Sequence, residues 1–147
     1  IFAEFQEKLV AKVEALRLGD PLLPETDLGP VISEMHLERI EDQVRRAQVQ
    51  GAEALCGARR PSAERCALAQ VGHFYEPTVL TEVGPDNPAF VEEIFGPVVS
   101  LTAFDSEAEA VALANKSEYG LGAGLWTEDV RKAHRMAKKL QSGVMWV

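Results

Sequence analysis

Gly120–Val147, GLGAGLWTEDVRKAHRMAKKLQSGVMWV, changes period twice and so decides the fold class. Gly120 to Trp126 alternates glycine with aliphatic residues, a pattern suited to a strand approached closely by another backbone. Val130, Ala133, Ala137 and Leu140 then recur at helical spacing. Gly143 ends that helix, and Val144–Val147 returns to a strand. The glycine run is not a phosphate cradle, because it lacks the third glycine of the dinucleotide fingerprint and any P-loop lysine.

Working upstream, Ser106 and Glu109 have capping-box spacing ahead of Val111 and Ala114. Val98–Phe104 and Pro77–Val83 are rich in β-branched residues and read as strands, with Gly84–Pro97 between them as turn and loop. Strand, helix, strand, helix, strand is the grammar of an α/β domain, a largely parallel sheet flanked by helices. The pattern predicts Val98–Phe104, Leu121–Trp126 and Val144–Val147 in one sheet. Helices near Ser106–Lys116 and Asp129–Gln141 are expected to pack on it through Val111, Ala133, Ala137 and Leu140.

Further out, Phe2, Phe5, Leu9, Val13 and Leu16 form one helical stripe, stopped by Gly19 and Pro21. Residues 20–33 carry three prolines and Gly29 and read as a crossing loop. Leu37, Ile40, Val44 and Ala47 form a second stripe, ended by Gly51. Ala54–Cys56 suits a short buried strand, and residues 58–70 show no period and read as an exposed excursion.

Across 147 residues, 46% are hydrophobic and 26% charged, enough for one domain with a real core. The formal charge of -8, spread along the chain, argues against nucleic acid or anionic lipid as a partner. No apolar run is long enough to span a bilayer. Ile1–Val10 has no initiator methionine and no basic region ahead of an apolar one, so it reads as a mid-chain start and not as a signal peptide. Cys56 and Cys66 are too few for a disulfide framework and fit a reducing compartment. No zinc spacing is present, and no metal is expected.

The segment with most chemical content is Glu92-Glu93-Ile94-Phe95-Gly96-Pro97. A carboxylate can accept both hydroxyls of a ribose, and an aromatic ring beside it can pack on a flat heterocycle. The competing reading is a surface turn into the Val98 strand with Phe95 in the core. His36, His73 and His134 have no serine or cysteine partner at a recognisable spacing and read as solvent-facing or capped. Cys56 and Cys66 lack an activating helix N-terminus and read as inert thiols.

Taken in order, Gly19-Asp20-Pro21, Gly29-Pro30, Gly51-Ala52, Pro77-Thr78-Val79-Leu80, Glu92–Pro97, Ala114-Asn115, Tyr119-Gly120-Leu121 and Gly143–Val147 make the chain similar to aldehyde dehydrogenases over essentially its whole length. The resemblance implies oxidation of an aldehyde to a carboxylic acid, or to a thioester in some branches, with NAD or NADP reduced. In that chemistry a cysteine thiolate adds to the aldehyde, backbone and asparagine donors hold the oxyanion, and a glutamate activates water against the thioacyl intermediate.

Residue by residue, Glu93 matches the family carboxylate that holds the nicotinamide ribose, and Phe95 the aromatic beside it. His36 and Arg39 fall where family members contact the adenosine end of the cofactor. No catalytic residue is expected in this chain. The nucleophilic cysteine, general base, oxyanion asparagine and cofactor domain would precede Ile1, and a tail would follow Val147. Residues 1–147 therefore read as a partial catalytic domain, inactive alone, from a cytoplasmic homodimer or homotetramer acting on a small-molecule aldehyde. A second reading is a short protein that kept the fold, lost catalysis and serves as a binding or assembly module. A third is an unrelated α/β binding domain that matches the pattern by chance.

Overall fold

Leu37, Ile40, Val44 and Ala47 do form a single buried stripe, and the first core is built on it. The computed structural model describes residues 1–147, which divide into two compact units, Ile1–Thr102 and Ala103–Val147.

In the first unit, helix α1 (Phe2–Glu14) precedes the crossing loop, and α2 (Glu34–Val49) follows it. Ser33 caps α2 by accepting from the His36 backbone N–H. Strands β1 (Glu53–Cys56), β2 (Thr78–Thr81) and β3 (Val98–Ser100) form one sheet in that order. β2 lies at its centre, antiparallel to β1 and parallel to β3. Every β2 residue is buried, including two threonines whose hydroxyls are both used. Thr78 Oγ1 donates to Glu76 O and accepts from Ala58 N–H, both at 2.8 Å, and Thr81 Oγ1 donates to Gln6. Gly57, at φ +72°, makes this possible. A Cβ there would lie 2.4 Å from Pro77 O and 2.5 Å from Thr78 Oγ1.

Two departures from expectation concern loops. Residues 58–70 form no helix or strand, yet they are not simply exposed. Cys66 is buried in a second small core with Leu18 and Phe74. Arg65 donates to the carbonyls of Glu14 and Leu16, satisfying acceptors left open at the end of α1. In 84–97 the chain makes a single turn of helix, α3 (Pro88–Val91), capped by Asn87. Asn87 is buried: its Oδ1 accepts from Ala89 N–H, and its Nδ2 donates to Ala47 O at 2.9 Å. One side chain thus starts α3 and closes the end of α2.

In the second unit, α4 (Glu107–Ala114) is followed by β4 (Gly122–Gly124), α5 (Val130–Ala137) and β5 (Val144–Trp146). β4 and β5 pair in parallel, Gly122 with Val144 and Gly124 with Trp146, the pairing that a helical crossover connection serves. The Ser106–Glu109 box forms as spaced, Ser106 Oγ accepting from Glu109 N–H. The Asn115 side chain donates to Lys139 O and accepts from Gln141 N–H, closing the turn that follows α5.

The α/β class with mostly parallel pairing holds, but the single sheet does not. Val98–Ser100 pairs with β2, whereas Gly122–Gly124 and Val144–Trp146 form a separate two-stranded sheet. Residue pattern says which segments are extended, not which edges meet. The expected packing face is also altered: Ala133 and Met136 are the buried residues of α5, Val111, Ala137 and Leu140 are half-buried, and α4 buries nothing completely. No helix is long and apolar enough to cross a membrane.

Candidate functional site

Glu92–Pro97 links α3 to β3 and is held by one face of α2. His36, Ile40, Gln43 and Arg46 follow one another at intervals of four, three and three, so they project from the same side of the helix. Each touches the turn. His36 Nε2 donates to Phe95 O, a carbonyl that can only accept, which fixes the proton on that nitrogen. Ile40 lies beneath Gly96, where a Cβ would fall 2.5 Å from its Cδ1. Gln43 Nε2 donates to Glu92 Oε2 at 3.2 Å and to Glu93 O at 3.3 Å. Arg46 grips Glu92 with two parallel bonds of 2.7 Å. From the turn itself, Ile94 packs into the first core.

The two carboxylates in this turn consequently have opposite characters. Glu92 is bound, and its carboxyl is pulled down to about 2 by its hydrogen bonds to Arg46 and Gln43, with the charges of Arg46 and Arg39 adding to the effect. Glu93 is exposed and makes no hydrogen bond or ion pair through its side chain. Phe95, two residues on, is 71% exposed. Of the competing reading, the surface turn into β3 forms, but Phe95 is not in the core; Ile94 takes that place.

All four sequence-picked residues come into one neighbourhood. Glu93 and Phe95 stand on the turn, His36 lies under it, and Arg39, exposed on the next turn of α2, is close enough for its charge to act on Glu92. Sequence reading missed Gln43 and Arg46. The signal was a glutamine inside an otherwise apolar stripe: Gln43 is only 3% exposed, and a buried amide demands partners.

Both cysteines lie elsewhere. Burial pushes the Cys56 thiol up, away from the thiolate, and Cys66 is enclosed in the second core. His73 is engaged with Glu34, whose other oxygen meets Arg60. The chemistry that the Glu93–Phe95 pair offers is an unpaired anionic acceptor beside an open aromatic face. An acceptor and a ring on one turn suit a ligand whose vicinal hydroxyls donate and lie next to a flat ring.

Comparison with known proteins gives the same direction throughout. The aldehyde dehydrogenase family model matches residues 1–147. Mouse 2-aminomuconic semialdehyde dehydrogenase is 40% identical over 99% of this chain and 30% of its own length. Pig 4-trimethylaminobutyraldehyde dehydrogenase is 42% identical over 100% and 30%. Among solved structures, betaine aldehyde dehydrogenase from Staphylococcus aureus, determined in complex with NAD+, is 38% identical with a TM-score of 0.92 over 98% of this chain and 28% of that one. PnpE from a Pseudomonas species gives 38% and 0.91 over 98% and 29%. The chain thus spans about 30% of the curated relatives it matches, and it belongs to the aldehyde dehydrogenase family.

Proposed function

We propose that these residues serve a longer NAD(P)-dependent aldehyde dehydrogenase and supply part of its cofactor site. The observation that carries this reading is the pairing of an unbonded, exposed Glu93 carboxylate with an exposed Phe95 ring on a turn whose backbone is tied down. Exposure alone does not single out Phe95, since Ile32, Leu121 and Trp126 are more exposed; its place on the same turn as the unbonded Glu93 does.

In this reading Glu93 accepts the hydroxyls of the nicotinamide ribose, and Phe95 packs beside it. Arg39 and the free Nδ1 side of His36 lie toward the adenosine end, where Arg39 could meet a 2′-phosphate. Bound NAD or NADP supplies the two-electron acceptor for the hydride that leaves the aldehyde carbon. The nucleophile is a cysteine outside residues 1–147, whose thiolate adds to the aldehyde; water then releases the carboxylic acid from the thioacyl enzyme. Cys56 and Cys66 are ill placed for that role, so the 147-residue chain alone is inactive. The substrate is a small-molecule aldehyde, and relatives at nearly equal identity are named for different ones. The family resemblance suggests a homodimer or homotetramer, and two free cysteines suit a reducing compartment such as the cytoplasm.

The test is a spectrophotometric assay of NAD and NADP reduction by the full-length protein against a panel of aldehydes, including betaine aldehyde and 4-trimethylaminobutyraldehyde. Aldehyde-dependent reduction by the full-length protein and none by the 147-residue chain is the expected result. No turnover of any aldehyde by the full-length protein, with its cofactor binding intact, would instead favour the binding or assembly module.

A further inference from the structure

The turn that carries Glu93 and Phe95 has no regular structure of its own between α3 and β3. Neither side chain is anchored by packing, since both are exposed. What sets their direction is the backbone, which is held by Ile94 in the core, by Thr78 N–H on Pro97 O at 2.8 Å, and from α2.

Three polar attachments come from α2. His36 holds the carbonyl of Phe95, Gln43 holds the carbonyl of Glu93, and Gln43 and Arg46 together hold the carboxylate of Glu92. Arg46 is itself fixed from behind: its Nε donates to Asp42 Oδ2 at 2.9 Å while its two terminal nitrogens face Glu92. Such a forked, doubly held guanidinium has one geometry, which a point charge such as lysine cannot reproduce. Gln43 occupies a buried position where an aliphatic residue would complete the stripe of α2, yet it carries an amide whose Nε2 is spent on this turn.

Resting on the reading of Glu93 and Phe95 as cofactor contacts, we infer that Gln43 and Arg46 are positioning residues for cofactor binding. They act through Glu92 and the Glu93 carbonyl and set where the Glu93 carboxylate and Phe95 ring stand. Asp42 orients Arg46 in turn. None of the three needs to touch the cofactor. Loosening them frees the turn to sample other directions, so the bound geometry is populated for less of the time and affinity falls in proportion.

The experiment measures NAD+ dissociation constants by calorimetry, with thermal melts alongside, on the full-length protein and its Arg46→Met, Arg46→Lys, Gln43→Leu, Glu92→Gln and Glu93→Gln variants. Gln43→Leu fills the same volume with an aliphatic chain. Expected is a loss of affinity of about tenfold in Arg46→Met and Gln43→Leu, with the melting temperature of Arg46→Met, whose ion pair is more than a third exposed, within about 3 °C of wild type. Arg46→Lys, and Glu92→Gln, which keeps the shape, should fall between these and wild type. Unchanged affinity in folded Arg46→Met and Gln43→Leu, with affinity lost in Glu93→Gln, overturns the positioning role and leaves the Glu93 reading standing. Unchanged affinity in all five variants overturns both. Affinity that falls only in step with melting temperature marks a merely structural clamp and also overturns the inference.

Discussion

Arg46 and Glu92 lie 46 residues apart in sequence and meet through two bonds of 2.7 Å, one from each terminal nitrogen of the guanidinium to each carboxylate oxygen. The pair ties the last turn of α2 to the turn after α3. It also sets Glu92 apart from its neighbour Glu93, which is left without a partner. One carboxylate holds the turn in place, and the other is free to hold something else.

That division has a pH signature. The Glu92 carboxyl is depressed from 4.5 to about 2 in the folded chain. A depressed folded-state value means that the pair's stabilisation is fully present above about pH 4.5 and is lost as pH falls from there toward 2. Asp42, the other carboxylate on Arg46, is lowered as well, first by Arg45 and then by Arg46. Both partners of the pair are more than a third exposed, so solvent screens the contribution and it is modest. Urea unfolding of wild type and Arg46→Met across pH 2–7 should show a small gap at neutral pH that closes on acidification. A gap that persists unchanged at pH 2 would contradict the assignment of the shift to Arg46.

Gly96 is expected to be intolerant of any side chain. A Cβ there would meet Ile40 Cδ1 at 2.5 Å and Cγ1 at 2.9 Å, and Ile40 is completely buried. Gly96→Ala should therefore destabilise the chain by about 1–3 kcal/mol, the range for overpacked cores. Ile40→Val removes the nearest of those atoms, so the double variant should lose less than the two single losses added together. Strict additivity in the urea-unfolding cycle would mean that Gly96 is needed for some other reason.

Phe95 and Leu80 separate surface from core. Leu80 is fully buried on β2, and Leu80→Ala should cost about 2–5 kcal/mol. Phe95→Ala, from a position 71% exposed, should change stability by less than about 0.5 kcal/mol. A large loss from Phe95→Ala in chemical denaturation would return the ring to the core and remove the basis for a contact surface.

Asn87 joins two helices through one amide. Asn87→Ala removes the cap of α3 and strips Ala47 O of a buried donor. A cost of about 1–3 kcal/mol is expected. Amide hydrogen exchange should localise it, with Ala89 N–H losing protection more than residues of β2. Uniform loss across the first unit would point to general destabilisation instead.

The sequence carried some of this plainly and some not at all. Helical stripes such as Leu37–Ala47 were legible because period and burial obey the same geometry. The capping box at Ser106 was legible because its two residues are local. The Glu92–Pro97 string stands out through its resemblance to the family, because its residue pattern alone favours a surface turn into β3. What could not be read was nonlocal. The Arg46–Glu92 clamp joins distant segments, and nothing at either position names its partner. The split into two sheets has the same origin, because three-residue strands specify extension without specifying an edge. Met136 lies one residue before the predicted stripe of α5, which runs through the half-buried Ala137. The same loss of long-range information hid the anchoring of 58–70, where Arg65 reaches back to the end of α1.

The central claim is that Glu93 grips the nicotinamide ribose and so places the ring for hydride transfer. Glu93→Gln keeps the size and one acceptor but gives up charge-assisted hydrogen bonds, which are about twice as strong as neutral ones. Small errors of placement at a reacting centre can cost on the order of a hundredfold. The direct measurement is single-turnover kinetics of the full-length enzyme with its best aldehyde, protonated and deuterated at the carbonyl carbon, with cysteine alkylation followed in parallel. Glu93→Gln is expected to slow the hydride step and raise the isotope effect above wild type while alkylation proceeds at nearly the wild-type rate. An unchanged rate with an unchanged isotope effect would reduce Glu93 to part of a surface turn and contradict the central claim.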